Sequence, residues 1–206
     1  MRRTATTALA VVTAILTACS STPPPLSAPP SSTAPSVPSM NQSSPASSAP
    51  SRSPRGLLQK AIGQNAGFSD QQTGAQQADF SVDAIEVDPK CGGQHVEKPE
   101  HGHRIVLTFT VKTTPQFRAD QGWMITGHDF AIVGPDGLTE TALVTGAAFM
   151  CHDQQEWLPT NPFAPASTYR GKLPLDTRNT SGTITYRPPL FGVAANGGWE
   201  WQIPTP

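Results

Sequence analysis

Five histidines carry most of the chemistry that the side chains of this sequence could perform: His95, His101, His103, His128 and His152. His101 and His103 flank Gly102, so in an extended strand both would lie on one face and could bind copper or zinc through their imidazoles. Glu97 and Glu100 are near enough to add oxygen ligands. The spacing matches no common zinc motif, and solvent-exposed loop histidines are the simpler interpretation. Metal binding is therefore kept as an alternative function.

No catalytic set is recognisable in the sequence. There is no serine in a glycine-flanked nucleophile elbow, no phosphate-binding glycine loop, and no carboxylate pair placed for glycoside cleavage. We therefore expect a protein that is not an enzyme and that needs no cofactor. A role accessory to cell-wall hydrolysis is a second alternative.

Two tryptophans, Trp123 and Trp157, fall in expected loops. Exposed tryptophans often form the energetic centre of a binding surface, so this pair is the candidate for partner contact. The alternative is that each ring closes an open end of the folded domain.

The N-terminus has the features of an export signal. Arg2 and Arg3 precede an apolar stretch, Ala8–Leu16, that is too short to span a bilayer. The segment Leu16-Thr17-Ala18-Cys19 resembles the lipobox of bacterial lipoproteins. The resemblance implies cleavage after residue 18 and attachment of acyl chains such as palmitate to Cys19, which would hold the protein at the extracytoplasmic face of the cell membrane. Sec and twin-arginine export both remain open.

The segment that follows differs in composition from the rest of the chain. Of the 22 prolines, 10 lie between Pro23 and Pro54, and serine, alanine and threonine make up most of the remainder. Such a segment has too little apolar surface to offset its ordering entropy. The expected organisation is a signal peptide (1–18), a disordered tether (19–56) and one folded domain (57–206).

Charge excludes two classes of partner. The chain has 14 basic and 15 acidic residues, and loss of Arg2 and Arg3 with the signal would leave 12 basic residues. A nucleic-acid-binding protein needs a basic surface, and electrostatic docking on anionic lipid needs basic clusters.

Two cysteines remain besides Cys19, namely Cys91 and Cys151. In an exported protein an even pair is expected to form a disulfide, which would stabilise the fold by about 4 kcal/mol in the chain-entropy model. The alternative is a reactive or metal-binding pair of thiols.

The elements that position these residues are expected to be strands. From His103 to Thr113 apolar residues alternate, with Ile105, Leu107, Phe109 and Val111 on one face and only Val106 out of phase. Shorter alternating runs lie near residues 80–84, 130–132, 169–175, 184–186 and 199–203. A slip in phase at residue 85 indicates a bulge, the turn 134–137 precedes a run at 138–144, and residues 57–62 could form one helical turn. About seven short strands favour an all-β sandwich.

The order of these features resembles the immunoglobulin-like, telokin-like domain of actinobacterial and other Gram-positive lipoproteins and secreted antigens. The resemblance rests on Phe130–Gly137, Ala164–Leu173 and the closing Trp199-Glu200-Trp201. It implies an immunoglobulin-like β-sandwich and an extracytoplasmic location, and it carries no catalytic residues. We expect a monomeric binding or interaction module for a protein or cell-envelope component.

Overall fold

The computed structural model describes residues 51–188 and 197–205. The expected signal peptide, the lipidation site Cys19 and residues 20–50 of the expected tether lie outside the described residues.

Almost all of the regular secondary structure in the described part of the chain is β-strand. It contains β1 (Leu58–Gln59), β2 (Ala66–Ser69), β3 (Gln76–Val87), β4 (His103–Thr113), β5 (Phe130–Val133), β6 (Thr139–Glu140), β7 (Thr168–Thr177), β8 (Thr183–Tyr186) and β9 (Trp199–Gln202). One short α-helix, α1 (Gly146–Phe149), and three single 3₁₀ turns complete it. Seven strands have four residues or more, which confirms the expected all-β class.

The strands form two sheets. One has four antiparallel strands in the order β2-β3-β4-β7, and the other has five strands in the order β1-β9-β8-β5-β6. All pairs are antiparallel except β1 and β9. The hairpin between β5 and β6 turns at residues 134–137, as the sequence predicts.

Aromatic rings from the two sheets contact each other edge to face between the sheets, so the fold is a β-sandwich. Phe80 of β3 lies 4.9 Å from Trp199 and 5.7 Å from Tyr186, measured between ring centroids. Phe109 of β4 lies 6.1 Å from Phe130 of β5. Burial of these rings and of the alternating aliphatic side chains removes apolar surface from water, which is the main favourable contribution to folding.

The strand β4 begins and ends at the residues expected from its alternation. The bulge expected near residue 85 is present as a shift of register between Val82 and Ala84. Val106, the exception in the alternation, is fully buried. Its side of the four-stranded sheet must therefore be covered as well.

Residues 91–101 and 143–158, which we call the cover, lie on this side: Arg104, on the same face of β4 as Val106, donates to the carbonyl oxygens of Glu97 and Ala147, one in each segment. The disulfide Cys91–Cys151 joins its two segments, as predicted. The amides of Gly92 and Gly93 both donate to the carbonyl of Cys151, at 3.1 and 3.0 Å, which holds the segments side by side.

The start of the folded part differs from the expectation. Residues 57–62 do not form a helical turn, because Leu58 and Gln59 pair with the last strand. Contacts of the domain also reach back past residue 57: Arg55 Nε donates to the buried Glu200 at 3.0 Å. The folded part therefore begins before residue 57, at Arg55 or earlier.

Within the described residues, no helix has the length and apolar character needed to cross a membrane.

Candidate binding site

The two histidines proposed as metal ligands have different partners. His103 opens β4, and its Nδ1 lies 2.7 Å from Asp88 Oδ2. His101 precedes the strand, and its Nδ1 lies 3.6 Å from Glu140 Oε1 and 3.4 Å from the carbonyl oxygen of Asp176. In the described part of the chain no group of three or more His, Cys, Asp and Glu side chains is arranged to hold a metal. The structure therefore gives no support to a shared site.

Asp88 is the acidic partner that fixes this end of β4. Its burial would raise the carboxyl pKa, but hydrogen bonds from the Arg104 amide and the His103 imidazole outweigh burial, so the pKa is lowered overall. Its φ of 48° lies in the left-handed region, which aspartate tolerates better than most residues. Asp88 and His103 thus form a structural pair at the start of the strand.

The expectation that Trp123 forms an exposed binding surface is wrong. Its side chain is 1% exposed. Its ring contacts Phe68 at 4.8 Å and Phe163 at 5.0 Å, and its Nε1 donates to the Tyr186 hydroxyl at 3.2 Å. Trp123 closes one end of the sandwich, because a large ring with one polar atom is best buried where that atom finds an acceptor.

Trp157 is partly exposed and remains a candidate. It packs edge to face against Phe149, with ring centroids 5.0 Å apart. Phe149 ends α1, and Trp157 follows the disulfide-linked Cys151 in the same cover segment. These two rings, which we call the Phe149–Trp157 wall, separate two clefts.

The first cleft is apolar and has a volume of about 140 Å³. We call it the apolar cleft. It lies between the cover, the segment before β5 and the strand β7, and its apolar lining is Met124, Ile125, Val144, Phe149, Trp157, Leu158, Pro159 and Leu173. Gly127 also lines it, and a Cβ there would approach Val144 Cγ2 to 2.7 Å. The glycine therefore permits the close packing that shapes the floor.

The second cleft is polar, with a volume of about 330 Å³. We call it the polar cleft. Besides the wall, it is lined by Gly93, Gln94, His95, Met150, His152, Asp153, Gln154 and Gln155. Both cover segments contribute, so the disulfide holds its two sides together. Its lining is mostly polar, whereas small-molecule sites are usually lined by apolar side chains with a few polar groups.

A charged cluster borders both clefts. Lys172 Nζ donates to Glu156 Oε2 at 2.6 Å and lies 3.3 Å from His152 Nδ1. The hydrogen bond from Lys172 lowers the pKa of Glu156. The lysine charge is thus already compensated at the edge of the polar cleft.

Two ring nitrogens at the polar cleft have no hydrogen-bond partner among the described residues, although both are buried. They are Nε2 of His152 and Nε1 of Trp157. The His152 side chain is only 9% exposed. Buried polar atoms are rarely left without partners, and Nε of Arg104 and Nε1 of Trp201, away from this cleft, are in the same situation.

Two further clefts lie along the five-stranded sheet. They are larger, at about 530 and 510 Å³, and they are more open than the apolar cleft. The charged pair Arg55 and Glu200, which lines them, is mutually satisfied. We therefore place the candidate site at the Phe149–Trp157 wall.

Sequence reasoning found Trp157 but missed Phe149 and His152 as site residues. Residues 138–144 were expected to be a strand, yet only Thr139 and Glu140 pair, and the chain then turns into α1. The available signal was the position of Phe149 and His152 beside the expected disulfide partner Cys151.

Comparison with known proteins gives limited information. No protein family model matches the sequence, and no curated protein is significantly similar to it. Among solved structures, the chain is similar to MPT63, a secreted protein from Mycobacterium tuberculosis, with 13% sequence identity and a TM-score of 0.45. The similarity covers 71% of this chain and 97% of that chain. At this level the likeness bears on neither ligand nor partner, and the immunoglobulin-like assignment stays a prediction.

Proposed function

We propose that this protein is an extracytoplasmic lipoprotein, attached to the membrane through Cys19, whose β-sandwich binds a cell-envelope component or partner protein without catalysing a reaction. The lipobox-like segment supports the anchor, and the composition of residues 19–50 supports a tether. The paired cysteines fit an oxidising compartment.

The observation that carries the binding role is the apolar cleft beside Trp157. Partly exposed apolar side chains surround a space of about 140 Å³. A cavity of roughly 150 Å³ lined by apolar side chains can hold a benzene-sized molecule. The cleft is therefore suited to one compact apolar group of a larger ligand.

Part of the wall of the apolar cleft belongs to the cover, whose two segments are joined by the disulfide. A rigid wall that needs no ordering on binding costs little conformational entropy.

A titration with phenol tests the apolar cleft. The mature chain carrying Cys19→Ser would be followed by NMR, with the Trp157 ring N–H and the Met124 and Val144 methyl groups as reporters. We expect saturable shifts at these positions and loss of saturation in Trp157→Ala.

Leu138→Ala is the matched control, because Leu138 is 72% exposed at the β5–β6 turn, outside the cleft. Absence of saturation up to about 20 mM phenol, or equal binding by the Trp157→Ala variant, would contradict the proposal.

The anchor is tested separately on protein purified from its native membrane. Intact-mass analysis should show a chain beginning at Cys19 with acyl chains attached, and Cys19→Ala should release the protein from the membrane fraction. A native chain that keeps Met1 or carries an unmodified Cys19 thiol would refute the lipoprotein assignment.

A further inference from the structure

We propose that the Cys91–Cys151 disulfide is a redox-active pair, which an external dithiol reduces and whose reduced form holds Cys91 as a thiolate against Arg104. The inference goes beyond the proposed function, because it concerns the covalent link between the two cover segments and needs no ligand in the apolar cleft. It rests on the surroundings of the two sulfur atoms.

Arg104 places a buried positive charge against one sulfur of the disulfide. The residue is 4% exposed, and its Nη1 donates to Cys91 Sγ at 2.9 Å. Its Nη2 donates to the carbonyl oxygens of Glu97 and Ala147. All three of these acceptors are uncharged, and a cysteine sulfur in a disulfide is only a weak acceptor.

No carboxylate compensates this charge by direct contact. All 15 acidic residues of the chain lie in the part that the structure describes, and none of them forms an ion pair with the Arg104 guanidinium there. The carboxylates of Asp88 and Asp176 accept from backbone amides and from other side chains instead. A buried charge is costly unless it is paired. A thiolate at Cys91 would supply the missing counter-charge at a position already in contact with the guanidinium.

Two features favour the other states of the pair. The Pro89 carbonyl oxygen lies 3.7 Å from Cys91 Sγ and suits a protonated thiol. The S–H group is a weak donor, however, and a hydrogen bond to a charged group is roughly twice as strong as a neutral one. Loop closure favours the disulfide itself, but it acts equally at every pH. The titratable neighbours in sequence are Lys90, beside Cys91, and His152, beside Cys151.

The exposure of the two cysteines determines the order of exchange. Cys91 is partly exposed, whereas Cys151 is fully buried. A thiolate of the dithiol therefore attacks Cys91 Sγ, the S–S bond breaks, and Cys151 leaves and takes a proton. The second thiolate of the reductant then attacks the reductant sulfur of the mixed disulfide and releases Cys91 as a thiolate. The dithiol becomes a disulfide and gives two electrons to the protein; one of its two protons is bound by Cys151, and the other is released.

The released proton provides the test. The mature chain carrying Cys19→Ser is equilibrated with reduced and oxidised dithiothreitol from about pH 6 to about pH 8, where the thiols of this reagent stay largely protonated. Alkylation and mass spectrometry then count the reduced protein. We expect the equilibrium constant for reduction to rise at least about fourfold over this range, because reduction above the pKa of Cys91 releases one proton. Two ordinary thiols would change it less than about twofold, and a rise below about fourfold would overturn the inference.

A single-cysteine variant measures the thiolate directly. In Cys151→Ser, the pH dependence of alkylation by iodoacetamide should show that the Arg104 guanidinium holds the pKa of the Cys91 thiol below about 7.5, against an ordinary value of about 8.5. The matched variant Cys91→Ser leaves Cys151, which is buried, so its thiol should ionise at the ordinary pH or above it. An ordinary pKa for Cys91 would contradict the inference.

The role of the charge is tested by Arg104→Gln, which removes the charge and keeps an amide donor. This variant should lose the rise of the equilibrium constant with pH. Arg170→Gln, at an exposed position of β7, and His152→Leu, beside Cys151, should keep the rise. If Arg104→Gln kept it as well, Arg104 would not be the partner of the thiolate. If Arg104→Gln failed to fold, the pH dependence of the parent chain would decide, since it needs no substitution in the cover.

Discussion

Arg104 and Asp176 lie directly opposite each other on β4 and β7, and both side chains are buried on the side of the sheet that faces away from the sandwich core. Arg104 donates to the carbonyl oxygens of Glu97 and Ala147, one in each cover segment, and to Cys91 Sγ. Asp176 accepts hydrogen bonds from the same two segments. The pair therefore attaches the cover, and with it the Phe149–Trp157 wall, to the sheet.

Replacing Asp176 by asparagine should detach the cover in part. Asp176 Oδ1 accepts from the His101 amide, and Oδ2 accepts from the Glu100 amide and the Thr145 hydroxyl. Asparagine keeps one acceptor oxygen, but its NH₂ group cannot accept, so the bonds to the replaced oxygen are lost. The buried Arg104 charge would also lose its neighbour. We expect Asp176→Asn to lower the free energy of unfolding by about 3 kcal/mol or more, measured by urea denaturation. Asp153→Asn, at an exposed site, should change it little, and a cost of less than about 1 kcal/mol for Asp176→Asn would contradict the assignment.

Removal of the disulfide should destabilise the fold and weaken the candidate site together. Cys91 and Cys151 are 60 residues apart in sequence, so the double variant Cys91→Ser/Cys151→Ser should lose about 4 kcal/mol in the chain-entropy model. Equilibrium denaturation measures the loss, and the phenol titration shows whether the apolar cleft persists. A double variant as stable as the parent chain would show that hydrogen bonds alone hold the cover.

Gly182 precedes β8 in a conformation that other residues rarely adopt, with φ of 116°. A Cβ at this position would collide with the carbonyl oxygen of Val133. Gly182→Ala should therefore cost about 3 kcal/mol or more, whereas Gly137→Ala should cost about 1 kcal/mol. Gly137 is the matched control because its φ is 82° but nothing lies within 4 Å of its Cβ position. Thermal unfolding of the two variants compares them, and equal costs would show that φ alone matters.

Because of Asp129, we expect the free energy of unfolding to decrease as the pH rises through the acidic range. Burial raises the pKa of its carboxyl group, and hydrogen bonds from Thr126 oppose the shift only in part. The folded state then holds its proton to higher pH than the unfolded chain does, so stability decreases above the unfolded pKa of about 3.9. Asp129→Asn removes this ionisation and keeps an acceptor for Thr126.

Urea denaturation at two pH values tests this expectation. The Asp129→Asn variant should be more stable than the parent chain at pH 7, and the gain should vanish near pH 3. Asp136→Asn, at the exposed β5–β6 turn, controls for the change in net charge. If Asp129→Asn raised the free energy of unfolding equally at both pH values, the titration of Asp129 would not be the cause of the gain.

Local patterns determined the strands well. The alternation from residue 103 to 113 predicted both ends of β4, and the turn at 134–137 predicted the β5–β6 hairpin. Both predictions succeed because each pattern depends on side chains that are near in sequence. The slip of phase near residue 85 likewise marked a real bulge. The run at 138–144 was misjudged as a strand, since only Thr139 and Glu140 pair with β5 and residues 143 and 144 already belong to the cover.

By itself, then, the sequence determined the all-β class, the strands with clear alternation and the pairing of Cys91 with Cys151. Only the tertiary structure decided that Trp123 is buried, that Val106 lies under a second covered face, and that Phe149, His152 and Trp157 border one cleft. The physical reason is that alternation records whether a side chain is buried, whereas the partner that buries it comes from a distant segment. Which side chains meet at the wall depends on how the disulfide, Arg104 and Asp176 place the cover, and no local pattern carries that information.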